Sequence, residues 1–245
     1  LVEDLKLGSK VSPTRRVWIP KPGTEEKRPL GIPTIKDRAL QSLVKLALEP
    51  EWEARFESNS YGFRAGRSCQ DAIQAIYCAI NKKAKYVLDA DITKCFDRID
   101  HEALLKKLNT FPTIRRQVRA WLKAGVMDGK QLFQTSEGTP QGGVISPLLA
   151  NIALHGMENR IKQAFPKRKV GYKENGSQIN STVPDFIRYA DDFLVLHEDI
   201  TVVQRCREII SEWLNGMGLE LKPSKTRLAH SLNQVEQEKP GFDFI

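Results

Sequence analysis

The spacing of apolar positions changes period several times along the 245-residue chain. Two short extended segments come first, Val17–Pro20 and Arg28–Pro33. The Lys21–Lys27 stretch between them is rich in Pro, Gly and charge, which predicts a β-hairpin with a basic tip. From Lys36 to about Phe56 the positions Leu40, Leu43, Val44, Ala47 and Leu48 keep helical spacing, and Ser68 is placed to cap a second helix through Ala72, Ile73, Ile76 and Ile80. Tyr86–Ile92 alternates as a strand. Helices are predicted over 101–109, 113–124 and 144–164, an insertion loop over 166–182, and strands over 184–189 and 193–197. A last helix covers about 201–216. Hairpins and helices in this irregular order predict an α+β fold rather than a regular βαβ repeat.

Composition narrows the classes. The chain is 40% hydrophobic and 28% charged, enough for one domain or two closely packed subdomains. No apolar run approaches the roughly 20 residues of a membrane span, so no membrane partner is expected. There is no internal repeat, and Leu1–Leu5 has no signal-peptide pattern. Cys69, Cys78, Cys95 and Cys206 form no CxxC pair, which predicts reduced thiols and no zinc site. A net charge of +8 and a pI near 9.3 favour polyanionic partners. Charge alone does not separate nucleic acid from an anionic membrane surface.

The chemistry-bearing residues are carboxylates. Asp191 and Asp192 sit side by side where an apolar hairpin must turn, and adjacent carboxylates repel unless a cation offsets them. Asp91 ends an apolar strand about a hundred residues upstream. An acidic strand end beside an acidic hairpin supplies ligands for two Mg²⁺ ions, with Mn²⁺ as a substitute. Mg²⁺ prefers a few carboxylates plus substrate phosphates to an all-protein cage.

These residues resemble the polymerase palm of reverse transcriptases. Val87–Phe96 resembles motif A, and Tyr189-Ala190-Asp191-Asp192 resembles motif C. The resemblance implies that Asp91 and Asp191 ligate both metals, that the Ile92 carbonyl ligates one, and that Asp192 supports them. Gly138–Ile152 resembles motif B, implying that Gln141 touches the incoming nucleotide and that Gly142 and Gly143 line the template path. Phe96 stands where an aromatic residue sits beneath the sugar and excludes a 2′-hydroxyl. Lys21 and Arg28, flanking the predicted hairpin turn, match the triphosphate-binding cations of the fingers. Gly218–Thr226 resembles motif D, with Lys225 best placed to protonate the leaving pyrophosphate.

Arg28–Gln41 and Tyr61–Ser68 look like the group II intron proteins, and they add Tyr61, Phe63, Arg64 and Arg67 as template contacts, with Tyr189 beside the template and primer. The implied fold is a right-hand polymerase. Residues 1–85 are mainly fingers; 86–245 are mainly palm, with an antiparallel sheet backed by helices and with fingers segments interleaving around 101–140. The thumb is expected to lie outside this stretch.

The implied activity is RNA-directed DNA polymerisation in intron retrohoming, with a maturase role in RNA splicing. Implied partners are an RNA template, a DNA primer, intron RNA, dNTP and a second copy in a homodimer. The implied compartment is the bacterial cytoplasm, or an organelle in a eukaryote. An intron-RNA-binding maturase scaffold with little polymerase activity, and a CRISPR-linked or retron-type reverse transcriptase, stand as alternatives.

Overall fold

The structure is a computed structural model that describes residues 5–20, 23, 25–166, 183–235 and 238–244. The expected insertion loop lies almost wholly outside the described residues, and so does Lys21. Two compact units are formed, each from segments distant in sequence.

The first unit comprises residues 1–55, 94–154 and 217–219. Its sheet has the order β2-β1-β5-β6. Strands β1 (Thr14–Pro20) and β2 (Lys27–Ile32) form the expected hairpin, pairing Val17 with Leu30 and Pro20 with Lys27. Two three-residue strands, β5 (Val126–Asp128) and β6 (Gln131–Phe133), extend it, with β5 parallel to β1. Helix α1 (Ile35–Glu53) starts at Thr34, whose hydroxyl accepts from the Asp37 N–H. It buries Leu40, Val44, Leu48 and Trp52. Helices α3 (Cys95–Arg98), α4 (His101–Leu108), α5 (Pro112–Leu122) and α6 (Ser146–Leu154) also belong to this unit. Core side chains come from Leu104, Leu105, Val118, Trp121, Leu148 and Ile152.

The second unit comprises residues 56–93, 155–216 and 220–245. Its sheet has the order β3-β7-β8-β4-β9, from β3 (Ser60–Tyr61), β4 (Tyr86–Asp91), β7 (Asp185–Tyr189), β8 (Asp192–His197) and β9 (Arg227–His230). All of its pairings are antiparallel except β3 with β7. Because side chains alternate across a strand, each face can be read from the register. On one face, Val87, Ile187, Leu194 and Leu196 form a core with Tyr61 and with Ala72 and Ile76 of α2 (Cys69–Ile80). Helix α2 carries a full capping box between Ser68 and Asp71. On the opposite face, Leu88, Phe193 and Val195 are fully buried, as are Val203, Cys206 and Ile210 of α8 (Ile200–Asn215).

The single helix expected over 144–164 is two helices, α6 and α7 (Met157–Ala164). The break falls at His155–Gly156. Gly156 has φ 100°, a left-handed conformation that a continuous helix cannot contain, and its N–H donates to the Glu57 carboxylate at 2.7 Å. Among the described residues no helix is long and apolar enough to cross a membrane.

Candidate active site

On the face that α2 covers, the second unit's sheet is apolar under the helix and acidic at its other end. Along β4, Val87, Asp89 and Asp91 share that face, opposite Leu196, Leu194 and Asp192 of β8. Asp91 and Asp192 are thus direct cross-strand neighbours, a pairing in which like charges destabilise a sheet. Tyr189 closes the other side of Asp192 in the β7–β8 register. The two strands are joined by Ala190 and Asp191 alone, and Ala190 takes φ 54°. Gly62 comes against this turn so tightly that a Cβ there would lie 2.6 Å from the Ala190 nitrogen, so only glycine fits.

The backbone at the end of β4 has a consequence for the Ile92 carbonyl. The Asp91 carbonyl accepts from the Lys222 N–H at 2.9 Å, and the Thr93 N–H donates to the Glu220 carbonyl at 2.9 Å. Successive residues of a strand turn their hydrogen-bonding groups to opposite edges. The Ile92 carbonyl therefore faces the β8 side, one step past the last paired residues, Asp91 and Asp192.

Two lysines offset the acidic charge. Lys225, on the short 3₁₀ turn Pro223–Lys225, places its Nζ 3.1 Å from Asp91 Oδ2, and the Nζ of Lys222 lies 3.8 Å away. The hydrogen bond and charge of Asp91 raise the Lys225 ammonium above its ordinary value. Burial, and then the charges of Asp91 and Asp191, push the Asp192 carboxyl up to about 6 despite Lys225. Asp89, one step back on the same face, is raised by burial while Arg227 Nε bonds it at 3.1 Å.

The unfolded carboxyl titrates near 3.8 and the folded Asp192 near 6. Between those values the folded protein binds more protons at this group, so its contribution to stability falls as pH rises through that window. Relative to Asp192→Asn, metal-free wild-type protein is expected to lose a few degrees of melting temperature between about pH 4 and 6, and thermal melts of both proteins across the window check it.

Three carboxylates and a main-chain carbonyl stand at neighbouring strand ends, and oxygen donors of this kind suit a hard divalent cation. Among the described residues, however, no three His, Cys, Asp or Glu side chains already stand as a metal cage.

The other residues singled out in the sequence fall in different places. Arg28 is exposed on β2, Phe96 is half-buried on α3, and Gln141, Gly142 and Gly143 precede α6, all in the first unit. The Gln141 carbonyl accepts from the Gly31 N–H at 2.6 Å, and Gly142 takes φ 112°. The Gln141 side-chain oxygen is buried and finds no hydrogen-bond partner among the described residues. In the second unit, Phe63 is 50% exposed, and the Arg67 guanidinium lies over the Tyr61 ring at 5.6 Å. Tyr61 and Arg67 line a cavity of about 390 Å³ with Asp71, Gln74 and Cys78. Arg64 is buried, its guanidinium donating to the Glu57 and Ser60 carbonyls at 2.9 and 2.6 Å.

Sequence reasoning missed Lys222 and Arg188. The Lys-Pro-Ser-Lys run held the first signal, since a tight turn brings both lysines to one place. A lone arginine inside the apolar strand Phe186-Ile187-Arg188-Tyr189 was the second.

Comparison with known proteins adds identity to this geometry. Residues 19–244 match the family described as reverse transcriptase (RNA-dependent DNA polymerase). The group II intron-encoded protein LtrA of Lactococcus lactis is 30% identical over 94% of this chain and 47% of its own length. Protein YkfC of Escherichia coli is 33% identical over 89% of this chain and 63% of its own. The chain thus spans about half the length of the first of these relatives and under two thirds of the second. A telomerase structure from Candida albicans shares the fold, with TM-score 0.72 at 17% identity over 97% of this chain and 44% of that one. The chain belongs to the reverse transcriptase (RNA-dependent DNA polymerase) family.

Proposed function

We propose that this chain carries the polymerising centre of a group II intron-type reverse transcriptase, which extends a DNA primer with dNTP on an RNA template. The observation that carries the reading is the cross-strand pair Asp91–Asp192, with Asp191 in the adjoining turn. Asp91, Asp191 and the Ile92 carbonyl would hold two Mg²⁺ ions, and Asp192 would support them. When bound, such ions lower the pKa of the attacking hydroxyl and neutralise charge on the attacking and leaving oxygens.

The chain's own groups do the rest. Arg28 and Lys21 would bind the triphosphate; Gln141 would touch the incoming nucleotide; and Phe96 would sit under the sugar. Lys225 carries a proton on Nζ, which it would deliver to the departing pyrophosphate. For the template, Tyr61, Phe63, Arg67, Tyr189, Gly142 and Gly143 are the proposed contacts. Arg64 enters only by shaping the loop that bears Phe63 and Arg67, because its guanidinium is already engaged inside the unit. Residues 1–85 are proposed as mainly fingers and 86–245 as mainly palm.

The name of the group II intron-encoded relative supports this reading, and we extend it to retrohoming and maturase work on intron RNA. Primer extension on an RNA template with Mg²⁺ and dNTP tests the proposal. DNA product is expected, and its absence from protein that binds the primer–template would overturn it.

Helix α5 supports a polyanionic partner. Arg115, Arg116, Arg119 and Lys123 fall on its outer face, opposite buried Val118, Trp121 and Leu122, and the helix carries no acid. Arg119 is engaged by Glu102 at 2.6 Å. Neutralising Arg115, Arg116 and Lys123 to Gln should weaken RNA binding uniformly across sequences and lower the salt slope by about 2 to 3. Filter binding at several salt concentrations checks this, and an unchanged slope would remove the face from the RNA interface.

A further inference from the structure

The carboxylates Asp91 and Asp192 lie on one face of the second unit's sheet, while beneath the other face runs a buried ionic network. Arg188 opposes Phe193 in the β7–β8 register, one step out of phase with the Tyr189–Asp192 pair. Its side chain therefore points away from the acidic face, and it is only 1% exposed. One guanidinium arm donates to the Ala190 carbonyl at 2.7 Å, and the other to Ser60 Oγ at 2.6 Å.

The Ala190 residue is held from both ends. Its N–H donates to the Tyr61 carbonyl at 3.2 Å, and its carbonyl receives Arg188. At φ 54° it occupies a left-handed region that residues bearing a Cβ seldom adopt, and such strain persists only where the surroundings over-determine it.

A buried guanidinium also needs a counter-charge. The nearby carboxylate is Glu57, 8% exposed, which accepts from the Gly156 N–H at 2.7 Å and from His155 Nδ1 at 3.0 Å. Burial raises the Glu57 carboxyl, but the His155 hydrogen bond and the charges of His155 and Arg188 more than offset it, leaving it below its ordinary value. The anion needed to hold Arg188 is therefore present. A well-packed apolar side chain often replaces a buried ion pair without loss of stability, which makes stability alone a poor account of an arginine here.

We propose that Arg188 is a positioning residue: its planar fork grips the Ala190 carbonyl and the Ser60 hydroxyl together, fixing the peptide that carries Asp191 and hence the placement of Asp191 relative to Asp91. The inference rests on the polymerase reading above. A lysine would keep the positive charge opposite Glu57 but would lack the fork that reaches both acceptors in fixed geometry.

The test compares wild type, Arg188→Lys, Ser60→Ala and Asp191→Asn in two assays, steady-state dNTP incorporation and electron paramagnetic resonance titration with Mn²⁺ alone. For Arg188→Lys, kcat should fall about 10- to 100-fold, since small misplacements of reacting groups cost that much. KM for dNTP should stay within about twofold, and Mn²⁺ affinity should weaken several-fold. Ser60→Ala should show the same pattern at smaller size. Folded variants with wild-type kcat and wild-type Mn²⁺ affinity would overturn the proposal, as would a rise in KM with metal affinity unchanged. Should Arg188→Lys fail to fold, Ser60→Ala decides by the same criteria. Equal incorporation by wild type and Asp191→Asn would instead sink the polymerase reading, and the Mn²⁺ titration would still judge Arg188.

Discussion

Replacing Asp191 with Asn should lower nucleotide incorporation by about 10³-fold or more, with little change in folding. The substitution keeps the side chain's shape, so the two-residue turn can persist. It removes one negative charge from a cluster that also contains Asp91 and Asp192, where burial and then the charges of Asp91 and Asp191 push Asp192 up to about 6. Metal-free Asp191→Asn protein should therefore melt no lower than wild type. On the proposed reading it loses charge that would hold the metal ions, and a thousandfold drop corresponds to about 4 kcal/mol of transition-state stabilisation. Asp91→Asn should behave alike, with one difference. Lys225 bonds Asp91 at 3.1 Å, so that variant also frees a lysine. Activity that survives in Asp191→Asn, while the turn stays folded, would contradict the assignment of metal-holding roles. Incorporation kinetics and thermal melts on the same preparations separate the two effects.

The second large effect concerns the sugar. Phe96→Ala should reduce the preference for deoxynucleotides over ribonucleotides by about 10²-fold, mostly by admitting the ribonucleotide. Steric exclusion by a filled pocket commonly discriminates by one to two orders of magnitude, and a phenyl ring is the largest group that an alanine substitution can remove at this position. Phe96 is only half-buried on α3, so truncation opens an accessible surface rather than hollowing a core, and incorporation of the deoxynucleotide should change little. Comparing kcat/KM for matched dNTP and rNTP in wild type and variant checks the outcome. Unchanged discrimination would remove Phe96 from the sugar gate.

Much of this was legible in the residues, and the exceptions have physical causes. The α1 and α2 helices announced themselves because each buries one face against its own unit, and the strands around Asp91 and Asp191–Asp192 because they are short apolar runs, buried on both faces of the sheet, that end in acids. Strands β5 and β6 carry three residues each, and β3 carries two. That is too short for a period of two to show. Strand β9, Arg227–His230, holds only two apolar residues, and it owes its place to pairing with β4 and to the Arg227–Asp89 contact. The break between α6 and α7 was missed because Gly156 is unremarkable locally, and the carboxylate that receives its N–H comes from Glu57, 99 residues earlier.

The candidate site divides along the same line. Asp91, Asp191 and Asp192 could be picked out because carboxylates gathered at apolar strand ends are chemically expensive. Their relation to Lys222, Lys225 and Arg188 depends on register and on the side of the sheet each side chain takes, neither of which spacing alone specifies. Arg64 illustrates the converse. Its neighbours in sequence suggested an outward-facing cation, whereas the guanidinium turns inward to two carbonyls and lies over Phe56 at 5.1 Å.

Incorporation of a single nucleotide opposite a defined RNA base tests the central claim most directly. With a DNA primer annealed to RNA and Mg²⁺ present, the account predicts addition of the complementary dNTP alone, a switch in the added nucleotide when the RNA base is changed, and loss of addition in Asp191→Asn. Addition that ignores the templating base, or that proceeds equally well without the Asp191 carboxylate, would contradict it.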